Sequence, residues 1–254
     1  MAEKKHFAPS AVGGALQDSI QYRGRKASRA KSEHRRRRIL EAALDIAARE
    51  GVRGIKHRPV ARAAGVPLAS TTYYFRDIEE LIRDAFMLFA EKANEDLEDF
   101  YGHLNALIDV ALAQGKLHSD AGRSDIAGNL ADYIAGYFGE QLRNYQSTIL
   151  TEQVFLAEAM REPSLEGLAR EYRRAWLNGV EQMLVRLGTA NPRRDAALLI
   201  SVVSGMGYDG LLFRDKFSPQ FFRETLERVL SLLLDVRSAV ESDYRELESS
   251  GTLE

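Results

Sequence analysis

The chain has 254 residues, 45% hydrophobic and 28% charged, with a formal net charge of −2; this is the makeup of a globular protein with a sizeable core, in one large domain or two modest ones. It holds no cysteine, which excludes disulfides, thiolate metal sites and cysteine nucleophiles. No uninterrupted apolar run approaches the roughly 18–20 residues that span a bilayer, and the opening MAEKKHFAPSAVGG lacks the apolar stretch of a secretory signal. A cytoplasmic protein without a membrane partner is expected.

Charge is unevenly placed. Residues 1–76 carry 17 Lys and Arg against 6 Asp and Glu, whereas residues 77–254 carry 18 against 31. One end therefore attracts polyanions and the body repels them.

Residues 1–32 are rich in Gly, Ala, Ser and basic residues without a sustained period, which predicts a basic, disordered arm. From Arg35 onward the apolar residues recur at helical spacing, so an all-α fold of about nine or ten helices is expected. The first helix runs over about 32–50. A second spans about 58–64, with Pro59 in its first turn and Gly65 as a left-handed stop. Pro67 opens a third that continues to Tyr74. Asp77 and Glu80 form a capping-box-like start to a fourth, whose stripe Ile78, Leu81, Ile82, Ala85, Phe86, Phe89, Ala93, Leu97 and Phe100 reads as buried. Beyond a break at Gly102, helical segments are predicted at 103–114, 124–142, 144–161, 163–188, 193–215 and 218–242, jointed by Gly and Pro.

Two short helices joined at Gly65-Val66-Pro67 have the size of a helix-turn-helix, over about 56–75. The second, LASTTYYF, carries five hydroxyl residues in a row, Ser70 to Tyr74. Hydroxyls of this kind reach phosphate oxygens, and small or apolar side chains touch thymine methyls. Arg58 is placed to reach a guanine edge or a phosphate. A small core helix with packed tyrosines reads the same residues equally well, but the basic surroundings favour DNA.

The stretch RRRRILEAALDIAAREGVRGIKHRPVARAAGVPLASTTYYFRDIEELIRDAF resembles the N-terminal domain of TetR-family repressors. The shared features are a first helix ending in Glu-x-Gly, a helix opening with Arg and ending in Ala-Gly-Val, a recognition helix closing on Tyr and Phe, and an acidic start to the next helix. The resemblance implies an N-terminal three-helix DNA-binding domain over residues 33–92 and a C-terminal helical domain for ligand binding and dimerisation over 93–254. It implies Arg58 and Leu68 as base-facing positions, with Ala69, Ser70, Thr72, Tyr73 and Tyr74 on the DNA side. Three residues depart from the family pattern: Lys56 where a Ser or Thr cap is usual, Thr72 where Tyr is usual, and Ile78 where many members have a phosphate-binding Lys. The basic arm is expected to compensate for the lost cation.

Past about residue 100 the resemblance fades. Gly205, Gly207 and Gly210 weaken a helix by roughly 1 kcal/mol each relative to Ala, which suits a position where backbones approach closely. By resemblance, segments 193–215 and 218–242 pair with those of a second copy into a four-helix bundle. The same glycines spell G-x-G-x-x-G, but a dinucleotide site needs a parallel sheet that the rest of the sequence does not predict. Tyr133, Tyr137, Gln141 and Trp176, with Tyr145, Gln153 and Met206 nearby in sequence or type, combine aromatic bulk and polar tips, as a small-molecule pocket does; an ordinary helical core uses the same residues.

No catalytic or metal site is expected, and no cofactor. The paired Glu-x-x-His motifs of a di-iron bundle, a His-Glu-x-x-His zinc motif and a Gly-x-Ser-x-Gly elbow are all missing from the sequence. The expected function is a homodimeric repressor released from a palindromic double-stranded DNA operator by a small-molecule effector. The alternative is an all-α ligand-binding or scaffold protein that has lost specific DNA binding, a reading in which Lys56 and Ile78 count.

Overall fold

A computed structural model of the protein describes residues 21–25 and 30–236. What was expected of residues 1–20, 26–29 and 237–254, most of the arm and the tail of the last predicted helix included, lies outside the described residues. These hold nine α-helices and no strand: α1 (Ala30–Glu50), α2 (His57–Ala63), α3 (Leu68–Tyr74), α4 (Ile78–Ala113), α5 (Asp120–Asn144), α6 (Gln146–Ala159), α7 (Pro163–Leu187), α8 (Pro192–Phe213) and α9 (Pro219–Leu233). The all-α expectation is met.

Three differences from the sequence reading have physical reasons. The break at Gly102 does not occur, and α4 runs for 36 residues. Buried Phe100, Tyr101, Leu104 and Ile108 continue one apolar stripe across the glycine, and that packing outweighs a propensity cost of roughly 1 kcal/mol. The last helix ends at Leu233, where Leu234 bonds back to Leu230 and Asp235 takes a left-handed φ of 53°. Finally, the segment Pro192–Lys216 is long and apolar enough, by length and composition, to cross a membrane. Its Ser and Gly residues interrupt the apolar run in the sequence but hardly lower its mean hydropathy, 1.6 in the relevant window.

The described residues form two compact units, to both of which α4, α5 and α7 contribute. In the first, the chain through Tyr101 joins Glu140–Asn178. There α1 packs on α2 and on α6, and α2 packs on α3. Phe86, Phe89, Phe155 and Tyr172 form a chain of ring contacts with centroids 5.1–6.1 Å apart, a geometry worth something beyond area burial alone. The second unit, Gly102–Gly139 with Gly179 onward, packs α8 on α9 around Leu130, Leu184, Leu199, Phe222, Leu226 and Leu230, all buried. Polar ties brace it: Arg186 donates to Asn105 at 2.6 Å and to Asp109, and Arg223 donates to Asp132 at 2.5 Å.

Candidate nucleic-acid interface

Lys56 stands at the N-cap of α2 in extended conformation and gives it no side-chain cap, as expected of a residue with no acceptor. The C-terminus is better finished. Gly65 N–H bonds to Arg62 C=O at 3.2 Å and Val66 N–H to Ala61 C=O at 3.0 Å, the paired bonds of a Schellman ending. This ending needs the left-handed φ of 61° that Gly65 adopts. Arg38 of α1 donates to Ala64 C=O at 2.5 Å, filling another orphan acceptor of α2. A side chain at Gly65 would crowd that guanidinium, with Cβ 3.0 Å from Arg38 Nη2. Pro67 is the N-cap of α3 and not its first residue.

Helical geometry then sorts the hydroxyl row. Residues three apart share a face, so Thr71 and Tyr74 turn inward, 0% and 4% exposed. Thr71 Oγ1 donates to Leu68 C=O at 2.8 Å, and the Tyr74 hydroxyl shares a 2.7 Å hydrogen bond with Ser32 Oγ of α1. Leu68, Ala69, Thr72 and Tyr73 form the exposed face, with Ser70 at its edge. Arg58 is exposed on α2, as are Lys56, Arg62 and Arg76 close by in sequence. Tyr74 thus fixes the helix from within, while the other six predicted DNA-side residues are at least partly open to solvent.

The helix that follows begins with a capping arrangement one residue out of the expected register. Asp77 Oδ1 accepts from Glu80 N–H at 2.7 Å, and Glu80 Oε2 accepts from Arg76 N–H at 2.7 Å, not from Asp77. Ile78 is half-buried.

Gln21–Arg25 docks, which sequence pattern alone does not predict. This segment, expected to be mobile, is tied to α4 and to the end of α3. Fully buried Asp84 accepts from Arg23 N–H at 2.8 Å, Gly24 N–H at 2.7 Å and Arg36 Nη2 at 2.8 Å. Arg83 donates to Gln21 C=O at 2.9 Å, and the Tyr22 hydroxyl donates to Glu91 at 2.6 Å. Burial and the Glu91 carboxylate push the Tyr22 hydroxyl far above its usual range. Burial and the charge of Arg23 lower Arg83, against the pull of Asp84 and Glu80. The Arg36 guanidinium lies 4.5 Å from the Tyr22 ring centroid. Arg25 N–H then takes the Tyr74 carbonyl at 2.9 Å, and its guanidinium lies 4.3 Å from the Tyr73 ring centroid.

The four predicted effector residues are half-buried and divide between the units: Tyr133 and Tyr137 belong to the second, Gln141 and Trp176 to the first. Tyr133 stacks on His103, and Trp176 C=O accepts the Tyr101 hydroxyl at 2.9 Å. None of the four lines a cleft of about 170 Å³ in the first unit, whose walls include Phe89, Thr151, Glu41, Asp45, Lys92 and Asp96. Burial and the neighbouring Glu95 and Asp99 raise the Asp96 carboxyl, and Lys92 opposes them.

Residues 125–236 match the family described as "Tetracyclin repressor-like, C-terminal domain", in the half where the residue-level resemblance is weakest. No curated protein matches the chain. Among solved structures it is similar to the multidrug binding protein EbrR complexed with imidazole, at 28% identity over 77% of this chain and 89% of that one, with a TM-score of 0.51. SCO7518 of Streptomyces coelicolor A3(2), described as a transcriptional regulator, is 27% identical over 78% of this chain and 98% of its own, with a TM-score of 0.50. A TetR-family member from Streptomyces coelicolor A3, SCO1917, is 27% identical over 77% and 97%, with a TM-score of 0.48. With two short helices in a helix-turn-helix arrangement at its head and a tetracyclin-repressor-like C-terminal domain matched over residues 125–236, the chain is similar to the TetR family of transcriptional regulators.

Proposed function

We propose that the protein is a homodimeric repressor that grips a palindromic double-stranded operator and lets go when a small-molecule effector binds. The observation that carries this reading is the exposed face of α3. It presents Leu68, Ala69, Thr72 and Tyr73, a surface without charge that hydrogen-bonds and packs, next to exposed cations. Arg58 and Leu68 read base edges, the first as a fork on guanine and the second against thymine methyls. Ser70, Thr72 and Tyr73 hold phosphates and set the register. Tyr74 positions the helix from behind.

In this reading residues 33–92 are the DNA-binding domain and 93–254 the ligand-binding and dimerisation domain. A dimer formed through α8 and α9 sets two recognition helices one DNA turn, roughly 34–36 Å, apart. EbrR binds small molecules, as its complex with imidazole records; for this chain we propose Tyr133, Tyr137, Gln141 and Trp176 as effector contacts. An effector releases DNA only if it favours one of two conformations over the other. The protein acts where the operator is, in the cytoplasm, and no catalytic step is proposed.

Selection of duplexes from a random pool on the full-length protein tests the reading. A palindromic motif should emerge, and Arg58→Ala should relax preference at one position in each half-site. If no duplex is enriched even at low salt, the scaffold reading takes its place, with the uncapped Lys56 and the missing cation at Ile78 as its cause.

A further inference from the structure

Resting on the DNA-binding reading, we infer that the docked strap Gln21–Arg25 belongs to the DNA interface, and that it holds the Arg25 guanidinium against a backbone phosphate beside α3. The anchoring is specific. Asp84 is a charge buried completely, and two of its three donors are backbone N–H groups of the strap. A buried carboxylate is tolerated only with its acceptors filled, so the strap is fixed to within hydrogen-bond tolerance. Glycine is required at position 24, because an added Cβ would stand 2.8 Å from Asp84 Oδ2 and 2.8 Å from the Phe75 ring. Both of those groups are buried and held in place.

The strap reaches the recognition helix at its weak end. A helix of seven residues leaves most of its carbonyls without intrahelical donors, and Arg25 N–H supplies one to Tyr74. The Arg25 side chain then lies over the exposed ring of Tyr73. Stacking occupies the face of a guanidinium and leaves its N–H groups pointing outward in the ring plane, where a phosphate accepts them. The cation that Ile78 does not supply is thus supplied by the strap.

The test measures affinity of the full-length protein and two variants for the selected duplex between about 50 and 200 mM salt. Arg25→Ala removes an exposed group, and Gly24→Ala displaces the strap while keeping every charge. On a palindromic duplex each variant loses two phosphate contacts, one per half-site, which makes the slope of log K against log salt shallower by about 1.8 and weakens binding by roughly ten-fold or more. We expect both variants to show this, Arg25→Ala with an unchanged melting temperature. Parent-like affinity and slope in Arg25→Ala, with the parent binding DNA, overturns the inference alone. A parent that binds no duplex overturns the DNA-binding reading and the inference with it.

Discussion

Asp84 shows how much rests on one side chain. Its carboxylate meets the Arg36 guanidinium and two backbone N–H groups at 2.7–2.8 Å, with Arg83 3.7 Å away. Removing the acceptor leaves a buried cation and two buried donors without it, the costly half of a broken ion pair. Asp84→Ala should therefore lower unfolding stability by about 3–5 kcal/mol, read from the midpoint and slope of a urea titration. A loss under about 1 kcal/mol, the range of an exposed pair, would show that the strap and Arg36 re-solvate freely. The same residue also advertised itself in the sequence. It falls three after Leu81 and four before Leu88, on the phase of a stripe that is otherwise apolar, and an acid at a core position demands a partner. The partner was not legible, because it is mostly backbone, and backbone donors carry no side-chain signature.

At the scale of elements, the helix-turn-helix was readable because its punctuation is local. Gly65 ends α2 through its own φ, and Pro67 starts α3 through its own ring. Gly65→Ala places a side chain at φ 61°, a conformation that costs roughly 1–2 kcal/mol for an L-residue, and it presses on Arg38. The expected result is a loss of that size in chemical unfolding, together with weaker duplex binding as α3 shifts on α2. What the pattern left unresolved was orientation. Five hydroxyl residues in a row offer the helix no apolar stripe, and the burial of Thr71 and the bond from Tyr74 to the distant Ser32 decide which face turns out. The break expected at Gly102 failed for the complementary reason. Propensity is a local term, and burial on both sides of the glycine outweighs it.

For the whole molecule, a broad exposed apolar face lies on the second unit. Leu198, Ser201, Gly205, Tyr208 and Leu212 are all exposed along α8, at spacings of three and four that place them on one face. Leu212 is 75% exposed, with Phe221 and Leu232 of α9 at 62% and 68%. Small residues at the centre and large apolar ones at the ends suit a close helix crossing, and contiguous exposed apolar area of this kind marks an interface. The hydropathy of Pro192–Lys216 follows from the same demand, since a helix covered on two sides needs apolar residues on both. A second copy is the occupant proposed above, and a bilayer is the competing one. Leu212→Glu separates them: it should convert a dimer to a monomer in sedimentation equilibrium without changing helix content. Because two linked half-sites gain from effective concentration, the monomer should bind the palindromic duplex about 10²-fold or more weakly, while a single half-site is bound as before. A parent that sediments as a monomer, or floats with lipid vesicles, would refute the dimer; a dimer that survives the new carboxylate would move the interface off this face.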